Sequence, residues 1–320
     1  VTIDLEMYSL IAVYSAMALY TLAFVAFTVD LARRSSPEPV AASASATGAA
    51  AASGGSTTVL ERTDAPTTGR ERGSRSLRVA MGLTVIGFVL HALGVVLRGF
   101  AAGYAPWSNM YGFAITATGL IVGVFLLVQF WQDLRFLGAY IVGFCLAFLG
   151  LATVNFYVAV APQPPALQSA WLVMHVFVAI LGTAFFALGG GLSLVQLLQA
   201  RREARGGEGM RFLSTLPNAE RLENLAYRLI LVGFVFWTFT LIAGAIWAER
   251  AWGRYWGWDT KEVWTFIIWT IFAGYIHARA TRGWRGSRSA WLAIIGFVAV
   301  LFNFTVVNLF FKGLHAYSGL

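Results

Sequence analysis

Eight stretches of 19 to 28 predominantly apolar residues dominate this chain, at 7–29, 79–99, 110–130, 134–155, 171–198, 226–248, 262–280 and 289–311. About 20 residues of helix span a bilayer core of roughly 30 Å. No water is present there to satisfy the backbone, so only helices or closed barrels can cross. Barrel strands read as short alternating segments, and these runs do not. The expected fold is all-α, a polytopic membrane bundle of eight transmembrane helices. Composition agrees: 12% of residues are charged against about 25% in soluble domains, and mean hydropathy is +0.69. A soluble α/β enzyme is excluded. The lone cysteine, Cys145, lies inside an apolar run, where it reads as a small core residue. No CxxC pair and no CxxCH motif exists, so the chain is not itself a covalently haemylated cytochrome c.

The first run, 7–29, is too long for the apolar core of a cleavable leader and is read as a first span within residues 1–32. Residues 33–78 form one linker rich in Ala, Ser, Thr and Gly, with Pro37, Pro39 and Pro66. Such a segment buries too little apolar surface to offset its ordering entropy and is expected to be disordered. Residues 79–320 form the seven-span remainder. In the connector 201–228, Pro217 and Asn218 mark a helix start at Ala219 leading into the sixth span. The net charge of +8 reports membrane orientation rather than nucleic-acid binding. With the linker in the cytoplasm, the inner segments hold 18 Lys and Arg and the outer ones 5. Both termini are then expected outside.

Three outer loops stand apart: 99–109, GFAAGYAPWSN; the uncharged, proline-containing 156–170; and 247–263, WAERAWGRYWGWDTKEV. An interfacial aromatic belt explains one or two tryptophans. It does not explain Trp247, Trp252, Trp256 and Trp258 within twelve residues, interleaved with Gly253, Gly257, Asp259, Lys261 and Glu262 and followed by Trp264 and Trp269. Flat indole faces and glycines that admit a ligand close to the backbone suit a large planar amphiphile at the membrane surface. Of the four histidines, His175 and His315 are expected on the same side as this loop. Two imidazoles beside an aromatic platform could supply both axial ligands to an iron porphyrin. His277 falls near the cytoplasmic end of the seventh span, and His91 near the middle of the second, where a helix–helix hydrogen bond is as good a reading as a ligand role. Arg98, Arg254 and Lys261 are candidate partners for haem propionates, or else exposed interfacial cations. Asp259 and Glu262 read as groups that orient the loop or a histidine rather than as a general acid or base. An electron-transfer protein holding haem b between facing helices, with His91 and His277 as one pair, is the alternative, and it leaves the tryptophan loop unexplained.

The segment WGRYWGWDTKEVW at 252–264, with Trp269, His277 and Arg279 beyond it, resembles the tryptophan-rich WWD signature of haem-handling proteins. It is most similar to the CcsA (ResC) family of system II cytochrome c biogenesis. Arg98, Pro106, Asn109, Tyr111, His175, Asn308, Gly313, Leu314, His315 and Tyr317 agree, and the resemblance covers about 80–320. It implies a chain in the cytoplasmic membrane with its WWD loop, 247–264, on the extracytoplasmic face. It implies haem b as cargo, held by a platform of Trp252, Gly253, Trp256, Gly257, Trp258, Asp259 and Trp264, with His175 and His315 as axial ligands and His277 at an inner haem site. It implies a CcsB/ResB-type membrane partner, apocytochrome c as acceptor and a thioredoxin-like reductant for its thiols. Haem lyase activity would belong to the complex, because this chain carries no thiol pair. One departure is Thr260, where the family usually has Pro, a change expected to loosen the turn.

Overall fold

The computed structural model describes residues 2–35, 75–207, 209–311 and 313–315. Every regular element among them is helical. In chain order the helices are α1 Thr2–Ser35, α2 Arg75–Ala102, α3 Met110–Val128, α4 Gly138–Asn155, α5 Ala170–Ala204, α6 Ala219–Trp252, α7 Thr260–Thr281 and α8 Ser287–Phe302. A π-helical turn, Asn303–Val307, and a short α9, Asn308–Phe310, prolong α8. Each expected span coincides with one of these helices. Seven of the helices are long and apolar enough to cross a membrane. The other is α7, whose Trp, Thr, His277 and Arg279 side chains dilute its apolar character.

The helices start where side chains satisfy their first N–H groups. Asn109 accepts from Gly112 N (2.8 Å), Ser169 from Trp171 N (3.2 Å) and Asn218 from Arg221 N (2.9 Å). The Asn218 cap is the one expected from the sequence, and α6 runs on from it without a break for 34 residues. Helices also extend into the expected linker. Residues 33–35 belong to α1 and 75–78 to α2, so only 36–74 remain of that assignment, and they lie outside the described residues.

Contacts between chain-distant ends show that the helices alternate in direction. At the end carrying the tryptophan loop, Glu6 of α1 accepts from Arg98 Nη1 at the end of α2 (3.3 Å) and from Val160 N beyond α4 (3.1 Å). Arg98 Nη2 donates to Val158 O at 2.5 Å, and its guanidinium lies 4.6 Å over the Tyr111 ring. At the opposite end Glu223 of α6 accepts from Arg279 Nη1 of α7 (2.7 Å). It also accepts from Gly286 N (2.9 Å) and Ser289 Oγ (3.1 Å) at the start of α8.

The most extensive packing joins α5 to α6 and α1 to α2, and α5 also touches α3 and α8. Small residues allow this, as is usual between membrane helices. Gly182 lies against the backbone of Gly233 and Trp237, and Gly189 against Ile230. Phe186 of α5 stacks on Phe272 of α7 with centroids 3.7 Å apart. Most of α3 is buried, whereas α1, α2 and α6 leave apolar side chains such as Val25, Val89 and Val235 exposed, as a lipid-facing surface requires. Cys145 is fully buried, the core role expected of it.

Candidate functional site

The tryptophan loop is built by two helix ends. Gly253 terminates α6 at φ 70°, a left-handed conformation that glycine adopts without a Cβ penalty, and its N–H returns to Glu249 O at 2.7 Å. Asp259 then opens α7 with a reciprocal capping box. Its side chain accepts from the Glu262 backbone, while Glu262 Oε2 accepts from Gly257 N (2.8 Å) and Asp259 N (3.0 Å). Thr260 is the first helical residue, a position that favours proline but does not need it. The box closes the turn with Thr260 in place. Trp258 sits at φ 58° and projects its indole outward, three-quarters exposed.

Both histidines expected on the side of this loop come to it. His315 Nδ1 lies 2.6 Å from Asp259 Oδ2, and His175 Nδ1 lies 3.0 Å from the carbonyl oxygen of Thr240. Both partners are acceptors, so Nδ1 is the donor in each ring and the hydrogen bonds leave Nε2 unused. Neither Nε2 makes a hydrogen bond among the described residues. One indole touches both rings: Trp247 stacks on His175 at 5.9 Å and meets His315 edge-on at 5.5 Å. Trp252 backs His315 at 4.8 Å. The Asp259 carboxyl is held below the usual carboxylate range, chiefly by the His315 hydrogen bond.

His175 and His315 line one cavity of about 220 Å³ that descends from the loop between α3, α4, α5, α6, α7 and α8. Its deeper walls are apolar, with Ile121, Phe144, Phe148, Leu241 and Phe304 among them. Its ionisable groups, His175, Tyr255, Lys261, Glu262 and His315, lie at the loop end. Lys261 Nζ donates to Asn303 O (2.9 Å) and Asn308 Oδ1 (2.6 Å), so it holds both ends of the π-turn in α8. Such turns free backbone carbonyls and recur at functional sites. Lys261 precedes the expected seventh span, and burial pushes its ammonium down to about 7, against the upward pull of Asp259.

The remaining expected site residues are distributed more widely. Trp256 and Lys261 line the cavity. Trp264 instead packs into the core against Phe302 at 4.4 Å. Arg254 is exposed and donates to Gly257 O at 3.2 Å, which tightens the loop. Arg98 is not brought to the cavity; the Glu6, Val158 and Tyr111 contacts occupy it instead. His277 is exposed on α7, away from the cavity. His91 is fully buried, with Nδ1 3.3 Å from the Tyr20 hydroxyl and its ring against Gly119. His91 and His277 therefore do not face one another, and the paired-haem alternative loses its basis. Sequence reasoning missed Thr240 as the partner of His175 and Trp247 as the shared indole. It also missed Asn303 with the π-turn. Backbone acceptors and π-turns carry no residue signature, although Asn308 was marked by the resemblance.

The model of the cytochrome C assembly protein family matches residues 107–315. These residues hold the loop, both cavity histidines and every helix that lines the cavity. The chain belongs to that family. Its relatives include proteins named cytochrome c biogenesis protein CcsA. One, from Synechococcus sp. (strain CC9902), is 36% identical over 74% of this chain and 85% of its own length. Another, from Guillardia theta, is 34% identical over 76% and 86%. A third, from Porphyra purpurea, is 33% identical over 76% and 88%. A solved structure named cytochrome c heme lyase CcmF matches 94% of this chain with a TM-score of 0.65. Its sequence identity is 15% and the match spans 46% of that longer chain, so the likeness is one of fold.

Proposed function

We propose that this protein takes part in cytochrome c maturation by holding haem b as cargo at the tryptophan loop and presenting it to apocytochrome c. The observation that carries this reading is the pair of histidines on one cavity, each with Nδ1 pinned by an acceptor and Nε2 free. That arrangement suits bis-imidazole ligation of iron, because the second hydrogen bond fixes both tautomer and ring orientation. Family membership and the names of its relatives support the pathway. The apolar wall below suits the porphyrin face, while Lys261, and Arg254 at the rim, suit the propionates. Trp256 lines the pocket, Trp252 and Trp247 fix the imidazoles, and Trp258 offers an exposed indole to the acceptor.

In this reading α7 crosses the membrane as the seventh of eight spans, and the loop and both termini lie on the extracytoplasmic face of the cytoplasmic membrane. His277, exposed on α7, forms an inner haem site completed by another chain, for which a CcsB/ResB-type membrane protein is the expected partner. Cys145 is buried, so the thiols come from the CxxCH segment of apocytochrome c, kept reduced by a thioredoxin-like protein. Lyase activity then belongs to the complex. The test is the reduced optical spectrum of the purified complex, expected to be of low-spin bis-imidazole type. His175→Ala or His315→Ala should collapse it and abolish covalent haem on a reporter cytochrome. Retention of the spectrum by both variants would refute the ligand roles.

A further inference from the structure

The capping box needs only one oxygen of Glu262. Oε2 accepts both loop N–H groups, from Gly257 and Asp259. Oε1 is buried with no hydrogen-bond partner, on a residue that is 8% exposed and lines the cavity shared by His175 and His315. A buried carboxylate oxygen without a partner is costly and uncommon in a finished structure. The other ionisable groups on the cavity wall are His175, Tyr255, Lys261 and His315. Each histidine spends Nδ1 on a protein acceptor and keeps Nε2 for iron. Tyr255 is largely exposed. Lys261 Nζ is anchored to Asn303 O and Asn308 Oδ1. Among the described residues Glu262 is therefore the one carboxyl on this cavity wall, and its free oxygen sits three residues from the aspartate that holds His315.

We infer that Glu262 Oε1 carries the proton in thioether formation, an inference that rests on the haem-attachment reading above. Adding a thiol across a vinyl group is redox-neutral. The sulfur–carbon bond forms at the vinyl carbon attached to the porphyrin, and the carbon–carbon π bond breaks. The thiol loses its proton, and the terminal vinyl carbon gains one. A carboxyl group that takes the proton from sulfur and returns it to carbon ends the cycle unchanged, and no other reactant is needed. The loop-capping bonds on Oε2 persist in either protonation state, so Glu262 can relay a proton without releasing the loop.

The test separates loop support from proton transfer. Glu262→Gln keeps a carbonyl oxygen for the two N–H donors but removes the ionisable proton. It is made in the complete membrane complex, co-expressed with a CxxCH reporter in cells lacking their own maturation system. Two quantities are measured: haem bound to the complex by its reduced spectrum, and the initial rate of covalent haem appearance per haem bound. The expected result is an unchanged spectrum with a rate at least about 100-fold lower, the usual scale of positioned acid–base catalysis. Glu262→Asp, which is shorter but ionisable, should recover part of that rate. An attachment rate equal to wild type in Glu262→Gln would overturn the inference, and so would loss of the bound haem, because Glu262 then acts only through the loop. Loss of attachment in Lys261→Met with none in Glu262→Gln would assign the proton to Lys261 and overturn it too. If the wild-type complex binds no haem, the underlying reading fails as well, and the spectrum distinguishes that case.

Discussion

Glu223 and Glu262 are both buried carboxylates at helix ends, at opposite ends of the same bundle, and they are used in different ways. Glu223 spends both oxygens on protein donors, Arg279 and Ser289 on one and Gly286 N on the other. It ties α6, α7 and α8 together and borders no described cavity. Glu262 spends one oxygen and leaves the other buried without a partner, on a residue that lines the cavity shared by two histidines with free Nε2 atoms. The histidines divide the same way. His91 is more completely buried than His175, yet it meets Tyr20 and a glycine instead of a cavity. Burial and residue type are thus shared by groups on the cavity and away from it. What separates them is the cavity itself: the buried Nε2 of His91 also lacks a partner, but no described cavity meets it.

That contrast can be broken most severely at the histidines. His315→Ala and His175→Ala should each lower holocytochrome yield by 100-fold or more, and exogenous imidazole should restore part of it by filling the vacated axial position. His91→Ala should leave the haem spectrum unaltered. The next largest effect belongs to the opposite end. Arg279→Ala strands a buried carboxylate and should cost about 3–5 kcal/mol of stability, read as a lower melting temperature in detergent. The ligand spectrum of the protein that remains folded should be unchanged. Asp259→Asn keeps an acceptor but removes its charge from His315, and should weaken haem retention by about 10- to 100-fold, measured by haem transfer to an apoprotein acceptor.

The smallest effect sharpens the role of Lys261. Its folded-state pKa is lowered to about 7, so between there and the ordinary lysine value of 10.5 the unfolded chain binds the extra proton. Stability should therefore rise with pH across that window and level off below it. Lys261→Met should flatten the rise, and a melting-temperature series from pH 6 to 10 checks it. The Asp259–His315 lock has the opposite sense. Asp259 is depressed, so its stabilisation is complete above the ordinary carboxylate value and is lost only as pH falls through the folded one.

The sequence by itself determined the all-helical class, the place of each long helix, the Asn218 start of α6 and the loop as the segment that sets this chain apart. Those follow from hydropathy, helix-cap chemistry and an unusual density of tryptophan, all local in the chain. It also marked Asp259 and Glu262 as orienting groups; the capping box by which they do so appears only in the structure. Only the tertiary structure decided which tryptophan meets both histidines, that Arg98 is spent on Glu6, and that Trp264 packs inward while Trp258 faces out. It alone disclosed Thr240 and the π-turn clasped by Lys261. Those outcomes depend on how α3 to α8 lean together, a many-body packing result between segments up to 200 residues apart. Periodicity tells a helix which side is apolar, but in a membrane chain nearly every side is apolar. The partner of each polar atom is then settled by shape and by small residues at the contacts.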